Sequence, residues 1–220
     1  MINPFFKNKG PIKIDDILIS ANISNKYKYV ETNILDIKDL VTASNTDITF
    51  FHSKKYEAVA SITKAAYCIT TKQLSSILPK NCKPIEVDNV LISTAMITKI
   101  FYPDSVTDDF DPQTENIEKT ILHKTVKHGQ NVLVGKNVKI GLNSSIGHNS
   151  IIESNVIIGD NCSIGSNVII RNTLIKNNVY ILDGCVIGKK GFGFFPNKNG
   201  NTRYPHIGIV IIEDNCEIGC

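Results

Sequence analysis

Residues 133–170 read LVGKNVKIGLNSSIGHNSIIESNVIIGDNCSIGSNVII, a stretch in which an aliphatic residue returns every six positions. The period resumes one residue early at Ile175, is interrupted after Ile187 and returns at Ile212. Twelve hexads share this register: Val134, Ile140, Ile146, Ile152, Ile158, Ile164, Ile170, Ile175, Ile181, Ile187, Ile212 and Ile218. Glycine follows the aliphatic residue in seven of the twelve, although the 220-residue chain has only 14 glycines, so chance does not explain the pattern.

A six-residue period fits neither an amphipathic helix nor a single strand, and it is typical of parallel β-helices. The position two before each aliphatic residue is small or β-branched throughout, from Val132 to Cys216. We therefore predict one short strand per hexad, with two inward side chains and a corner that glycine permits. Three hexads would close a triangular coil, and stacked coils would align the aliphatic residues into inner ladders.

The first half of the chain lacks the period and mixes β-type with helical segments, which indicates an α/β domain over residues 1–103. The acidic, turn-rich segment 104–116 is predicted to be a linker. The β-helix would cover 117–220, beginning between Ile117 and Leu122. Helices are predicted at 12–19, 53–61 and 90–101, a helical turn at 71–78, and strands at 47–51, 66–70 and 84–87.

Composition narrows the functional classes. The net charge is only +3 and the basic residues are interspersed with acidic ones, so nucleic-acid binding is not indicated. Neither a signal peptide nor a membrane span is evident, and we expect a cytoplasmic protein. Cys162, Cys185 and Cys216 fall on the small inner position and are expected to be core thiols. No metal site is predicted, because His128 falls on the inward register, where it could not reach a metal shared with a neighbouring subunit.

The hexads are interrupted by KKGFGFFPNKNGNTRYPH, an excursion loop at 189–206. Loops that leave a rigid scaffold often carry binding residues. We therefore expect Gly191, Phe192, Gly193 and Phe194 to form a possible substrate loop. The alternative is that these phenylalanines pack against a neighbouring subunit.

Three features occur in order along the chain: DITFFHSKKY at 47–56, the hexads, and VIGKKGFGFFPNKNGNTRYPHIGIVIIEDNCEIG at 186–219. Together they resemble the UDP-3-O-acylglucosamine N-acyltransferase family of lipid A synthesis. The resemblance implies an α/β N-terminal domain followed by a left-handed parallel β-helix of hexapeptide repeats, assembled as a homotrimer. It implies transfer of a 3-hydroxyacyl group from acyl carrier protein, whose phosphopantetheine carries it, to the 2-amine of UDP-3-O-acylglucosamine. No other cofactor is expected.

The resemblance also implies a uridine site on residues 48–56. Phe50 and Tyr56 would hold the uracil, Ser53 would offer a hydroxyl group, and Lys55 would approach the diphosphate. Stacking and a point charge suit such a ligand. The alternative is a surface helix with a solvated Lys55 and a packed Phe50.

The family's general base is a histidine expected beyond Cys220, so the catalytic residues are unknown. We expect this chain to be the front portion of an enzyme, with the nucleotide site and without the chemistry. Two other functions stay open. One is an acetyl-CoA-dependent sugar-nucleotide acetyltransferase, and the other is a non-catalytic module that binds UDP-sugar.

Overall fold

A computed structural model describes residues 3–24, 32–107, 109–197 and 200–219. The chain divides into two compact units. The α/β unit comprises Phe6–Val106 and Phe192–Pro205, and the β-helix unit comprises Met1–Phe5, Thr107–Gly191 and His206–Cys220. Residues 192–205 of the interrupting loop thus belong to the α/β unit, where most of the described residues form a hairpin.

The α/β unit contains three α-helices and a four-stranded parallel sheet in its described part. The helices are α1 (Ile14–Ser20), α2 (Glu57–Ala60) and α3 (Val90–Phe101). The strands are β1 (Ile12–Lys13), β2 (Asn33–Ile34), β3 (Asp36–Ile37), β4 (Asp47–Phe51), β5 (Tyr67–Thr70) and β6 (Lys83–Glu86). The sheet order is β3-β4-β5-β6, whereas β1 and β2 form a separate antiparallel pair.

Local sequence explains the best-defined elements. Asn89 caps α3, since its side chain accepts a hydrogen bond from Ile92 N, and the helix ends at Phe101, two residues before Pro103.

The predictions for 90–101 and 47–51 are confirmed by α3 and β4. The predicted helix at 53–61 is instead a 3-10 turn, Lys54–Tyr56, followed by α2. The helical turn predicted at 71–78 contains the 3-10 turn Ser75–Ile77. In the described residues no helix has the length and apolarity needed to cross a membrane.

The interrupting loop contributes an antiparallel hairpin of β19 (Phe194–Asn197) and β20 (Gly200–Arg203). Residues 198 and 199 between these strands lie outside the described part. Phe195 and Tyr204 pack edge to face, with ring centroids 5.5 Å apart. Arg203 Nη1 donates a hydrogen bond to Val106 O at 3.2 Å, which joins the hairpin to the end of the N-terminal segment.

The hexads form a left-handed parallel β-helix, as predicted. Column A contains β8 (Lys127–His128), β11 (Ser145–Ile146), β14 (Ser163–Ile164), β17 (Tyr180–Ile181) and β22 (Glu217–Ile218). Column B contains β9 (Leu133–Val134), β12 (Ile151–Ile152), β15 (Ile169–Ile170) and β18 (Val186–Ile187). Column C contains β10 (Lys139–Ile140), β13 (Ile157–Ile158), β16 (Thr173–Ile175) and β21 (Val210–Ile212).

Each coil places its inner aliphatic residue on that of the next coil, as in the pairs Val134↔Ile152 and Ile152↔Ile170. The small inner position is also filled as predicted, because Cys162 and Cys185 are buried and Cys216 packs against the same core. Burying each aliphatic side chain contributes roughly 1.5–3 kcal/mol, so stability accumulates with the number of coils.

Corner geometry corrects the role predicted for glycine. Most left-handed corners of the β-helix lie three residues before the aliphatic residue, where Asn occupies ten positions with φ between 49° and 66°. Gly188, which follows Ile187, is left-handed at φ 72°, as predicted for that position. The glycines that follow the aliphatic residues are needed mostly for close approach. A Cβ on Gly147, for example, would lie 2.4 Å from the carbonyl carbon of Gly165. Asn ladders support the corners, as where Asn143 Nδ2 donates to Asn161 Oδ1 at 3.1 Å.

The beginning of the stack is covered by residues that do not continue its columns. The short strand β7 (Glu115–Asn116) pairs antiparallel with β9, and a 3-10 turn at Ile117–Lys119 places Ile117 in the core. The first parallel strand is β8. Its His128 pairs in register with the inner residue Ile146, as the hexad register predicted, although its side chain is exposed.

Candidate functional site

Three rings lie together at the carboxyl end of β4. The ring centroids of Phe50 and His52 are 6.4 Å apart with planes inclined by 26°, and those of His52 and Tyr56 are 5.5 Å apart with planes inclined by 48°. Phe50 is partly buried, whereas His52 and Tyr56 are exposed. We call Phe50, His52 and Tyr56 the β4 aromatic cluster. Its exposed ring faces can receive a planar ligand.

The backbone after β4 explains how these rings meet. Phe51 points into the core and is fully buried, so the alternation along the strand turns Phe50 to the other face. Ser53 then accepts a hydrogen bond from Lys55 N at 3.4 Å and begins the 3-10 turn Lys54–Tyr56. This turn brings the chain back and places Tyr56 beside His52.

The four residues predicted for the uridine site all lie on this one segment. Lys55 is exposed, and its Nζ lies 5.9 Å from the centroid of the Tyr56 ring. Ser53 is partly buried and serves as the cap of the turn. Phe50 and Tyr56 are linked through His52, which the sequence interpretation passed over. The available signal was its position, two residues after Phe50 on a segment already predicted to stack a base.

The carboxyl ends of β5 and β6 lie at the same edge of the parallel sheet as that of β4. Thr71, Lys72, Glu86 and Asp88 line a cavity of about 310 Å³ there. Ser75 Oγ donates to Glu86 Oε1 at 3.1 Å and holds that carboxylate at the edge. Ligands of open α/β sheets characteristically bind outside the carboxyl ends of the strands.

The opposite edge of the sheet carries acidic groups that are held by hydrogen bonds. Burial raises the pKa of Asp36, which accepts a hydrogen bond from the Tyr102 hydroxyl at 2.7 Å. Burial would also raise the pKa of Asp47, but hydrogen bonds from Ser44 and Lys38 outweigh it and lower that pKa. These contacts tie strands and loops together at the edge away from the aromatic cluster.

The four residues predicted for the substrate loop are divided between the two units. Gly191 packs against the His206 ring, since a Cβ there would lie 2.4 Å from His206 Cε1. Phe192 is 91% exposed and meets Phe194 edge to face at 5.6 Å. Gly193 O accepts a hydrogen bond from Tyr204 N at 2.8 Å. Within the described part of the chain, no ring contact joins these phenylalanines to the β4 aromatic cluster.

The described residues contain no group of three or more His, Cys, Asp or Glu that could hold a metal ion. His148 instead accepts a hydrogen bond from Gln130 N at 2.9 Å at a corner of the β-helix.

Comparison with known families assigns the segment that contains the aromatic cluster. Residues 31–100 match the family model described as UDP-3-O-(3-hydroxymyristoyl) glucosamine N-acyltransferase, LpxD. The chain carries an LpxD-family domain. Residues 137–172 match the model of the bacterial transferase hexapeptide, in agreement with the β-helix that follows this domain.

Curated relatives extend the similarity beyond the LpxD-family domain. Over 219 residues, or 98% of this chain, it is 38% identical to UDP-3-O-acylglucosamine N-acyltransferase 2 of Legionella pneumophila (strain Paris). Over the same length it is 39% identical to UDP-3-O-acylglucosamine N-acyltransferase of Rickettsia prowazekii (strain Madrid E). The chain spans 63% of the length of each of these relatives.

Proposed function

We propose that this chain acts in N-acyl transfer to a UDP-linked 3-O-acylglucosamine, with the β4 aromatic cluster as its uridine site. The observation that carries the proposal is the collinear similarity over 98% of the chain to relatives named for that reaction. The LpxD-family model covers the segment with the cluster, and the hexapeptide model covers the scaffold. Order along the chain and local geometry therefore support the same function.

The cluster supplies the kinds of group that a uracil nucleotide needs. Uracil presents two flat faces, and the rings of Phe50 and Tyr56 offer apolar surfaces for stacking. His52 adds a ring with nitrogen atoms that can donate or accept a hydrogen bond. Lys55, beside Tyr56, carries a compact charge suited to a diphosphate.

The proposed reaction joins a sugar amine to an acyl group carried as a thioester on the phosphopantetheine of acyl carrier protein. The amine nitrogen attacks the thioester carbonyl, and a carbon–nitrogen bond replaces the carbon–sulfur bond as the thiol leaves. The attacking nitrogen must lose a proton, and the oxyanion of the tetrahedral intermediate needs hydrogen-bond donors. We assign the base and these donors to none of the described residues. The proposal retains the sequence-based expectation of a cytoplasmic reaction without any other cofactor.

We also propose that the β-helix units associate as a homotrimer, because their outer faces differ in polarity. Column B presents only aliphatic residues outward, at Leu133, Ile151, Ile169 and Val186. Column C presents Lys139 and then three aliphatic residues, Ile157, Leu174 and Ile211. Column A presents mostly polar residues, Lys127, Ser145, Ser163, Tyr180 and Glu217.

A β-helix with two apolar outer faces and one polar outer face suits a cyclic assembly of subunits. In a cyclic assembly each subunit uses one surface toward one neighbour and a different surface toward the other. Ile157→Asp should lower the mass measured by light scattering from that of a trimer to that of a monomer. Ser145→Asp, on the polar column, is the matched control and should leave the mass unchanged. An unchanged mass in the Ile157 variant would reject this interface.

The reaction class is tested by offering the donors separately. The protein is supplied with UDP-3-O-acylglucosamine and either 3-hydroxyacyl carrier protein or acetyl-CoA, and the amide product is measured by mass spectrometry. Because the base and the oxyanion donors are assigned to none of the described residues, we expect little amide, and that amide from the carrier-protein donor only. Product from acetyl-CoA alone would favour an acetyltransferase, and saturable UDP-sugar binding without either product would favour a binding module.

A further inference from the structure

A second cavity of the α/β unit is lined by residues of α3 and β20, and we call it the hairpin pocket. It has a volume of about 610 Å³, within the range of pockets that bind small molecules. Ala95, Met96, Lys99 and Ile100 of α3 form one wall. Asn201, Thr202 and Arg203 of β20 and the following Pro205 form another, while Ser20 and Val106 complete the lining. None of these residues belongs to the β4 aromatic cluster.

The apolar wall follows from an unusual distribution of side chains on α3. Its buried face includes Thr94 and Thr98, whose hydroxyls donate to the carbonyls four residues earlier at 2.7 and 2.8 Å. Met96 and Ile100 are four positions apart and lie together on the face that lines the pocket. Both are only partly buried. The helix therefore leaves an aliphatic stripe that the protein itself does not fully cover, and the flexible Met96 can adapt to an alkyl chain.

The charged side chains described in the lining of the pocket are of one sign. Lys99 and Arg203 are both cationic, and no acidic residue is among the described residues that line it. Arg203 is partly buried, and its Nη1 bond to Val106 O fixes the guanidinium at the wall. Lys99 lies on α3 between Met96 and Ile100, so a cation stands directly beside the aliphatic stripe.

We propose that the hairpin pocket binds a single alkyl chain that ends in an anionic group, a monomeric fatty-acid type of ligand. The tail would lie along Met96 and Ile100, and the head would pair with Lys99 and Arg203. Guanidinium and ammonium groups bind carboxylate through charge-assisted hydrogen bonds, and an alkyl tail gains by leaving water. A phospholipid in a membrane offers the same two chemistries, and the experiment separates that source from the free monomer.

The test is calorimetric titration with decanoate below its micelle concentration. We expect saturable one-to-one binding, about tenfold weaker for octanoate because two methylenes are lost. Decan-1-ol, which has the tail without the charge, should bind at least about fivefold more weakly. Equal affinity for octanoate and decanoate, or for decanoate and decanol, would overturn the proposal. So would binding to vesicles of anionic phospholipid in the absence of binding to the monomer.

Variants separate the head from the tail. Lys99→Gln should weaken decanoate several-fold while decanol stays unchanged, and Met96→Glu should weaken both. Lys80→Gln, at an exposed lysine outside the pocket, is the matched control. If Arg203→Gln disturbs the hairpin, Arg203→Lys is used instead, because it keeps the charge. A thermal melt checks the fold of each variant. Unchanged decanoate affinity in folded Lys99→Gln and Met96→Glu would overturn the site.

Discussion

In the β-helix unit every strand of columns A, B and C pairs with an equivalent strand one coil away, whereas the strands that pair in the α/β unit share no sequence repeat. The β-helix repeats one local solution, so each inner position is supported by copies of itself above and below. The β4 aromatic cluster exists once and depends on a strand end, a serine cap and a single 3-10 turn. Repetition therefore supplies the scaffold, and the proposed uridine site lies in an aperiodic segment.

The largest effect should come from an inner position of the β-helix. Ile181 is 1% exposed, and Ile181→Ala should lower the free energy of unfolding by about 2–5 kcal/mol because it leaves a cavity between coils. Its neighbour Tyr180 points outward and is 54% exposed, so Tyr180→Ala should cost far less. Denaturant unfolding measures both, and equal losses would contradict the inner and outer register.

A smaller loss is expected where the backbones of two coils approach closely. Gly147→Ala would place a Cβ 2.4 Å from the carbonyl carbon of Gly165 and 2.5 Å from Ser166 N, at a cost of about 1–3 kcal/mol. Gly208→Ala meets open space and serves as the control. Thermal melting should separate the two variants, and similar melting temperatures would show that close approach does not explain the glycines.

Substitution of an Asn at a corner of the β-helix should lower stability by a still smaller amount. Asn161 has φ 55°, and Asn161→Ala should lower stability by about 1–2 kcal/mol because an alanine is strained in this region. Asn161→Gly tolerates the same backbone and should recover part of the loss. If alanine and glycine destabilise equally, the ladder hydrogen bonds of Asn161 matter more than its backbone conformation.

The smallest predicted effect concerns acid stability of the α/β unit. The folded pKa of Asp47 is lowered, so its stabilisation is present above the unfolded value of about 4 and is lost as pH falls through the folded pKa. Asp47→Asn should cost about 1 kcal/mol at pH 7, since solvent screens the partly exposed Lys38, and the difference from wild type should shrink in acid. Urea unfolding at several pH values, with Asp16→Asn as an exposed control, measures this, and a difference independent of pH would refute it.

Prediction from the sequence succeeded where the determinants are local. The hexad register gave the inner residues, and the Asn89 cap and Pro103 account for the agreement at α3. It failed at the glycines because spacing alone does not distinguish a left-handed corner from a close approach between coils. The Asn that lies three residues before ten of the twelve aliphatic residues was the unused signal. The neighbours of the β4 aromatic cluster depend on the pairing of β4, β5 and β6, and the hairpin pocket depends on segments about 100 residues apart, such as Lys99 and Arg203. Neither arrangement follows from a local pattern.

The central claim is that the β4 aromatic cluster binds the uridine of a UDP-sugar. Calorimetric titration of UDP-N-acetylglucosamine into wild type, Phe50→Ala and the exposed-ring control Phe110→Ala tests it most directly. We predict that Phe50→Ala weakens binding by about 1–3 kcal/mol, or roughly 5–150-fold, whereas Phe110→Ala binds as wild type does. Wild-type affinity in a folded Phe50→Ala variant would contradict the account.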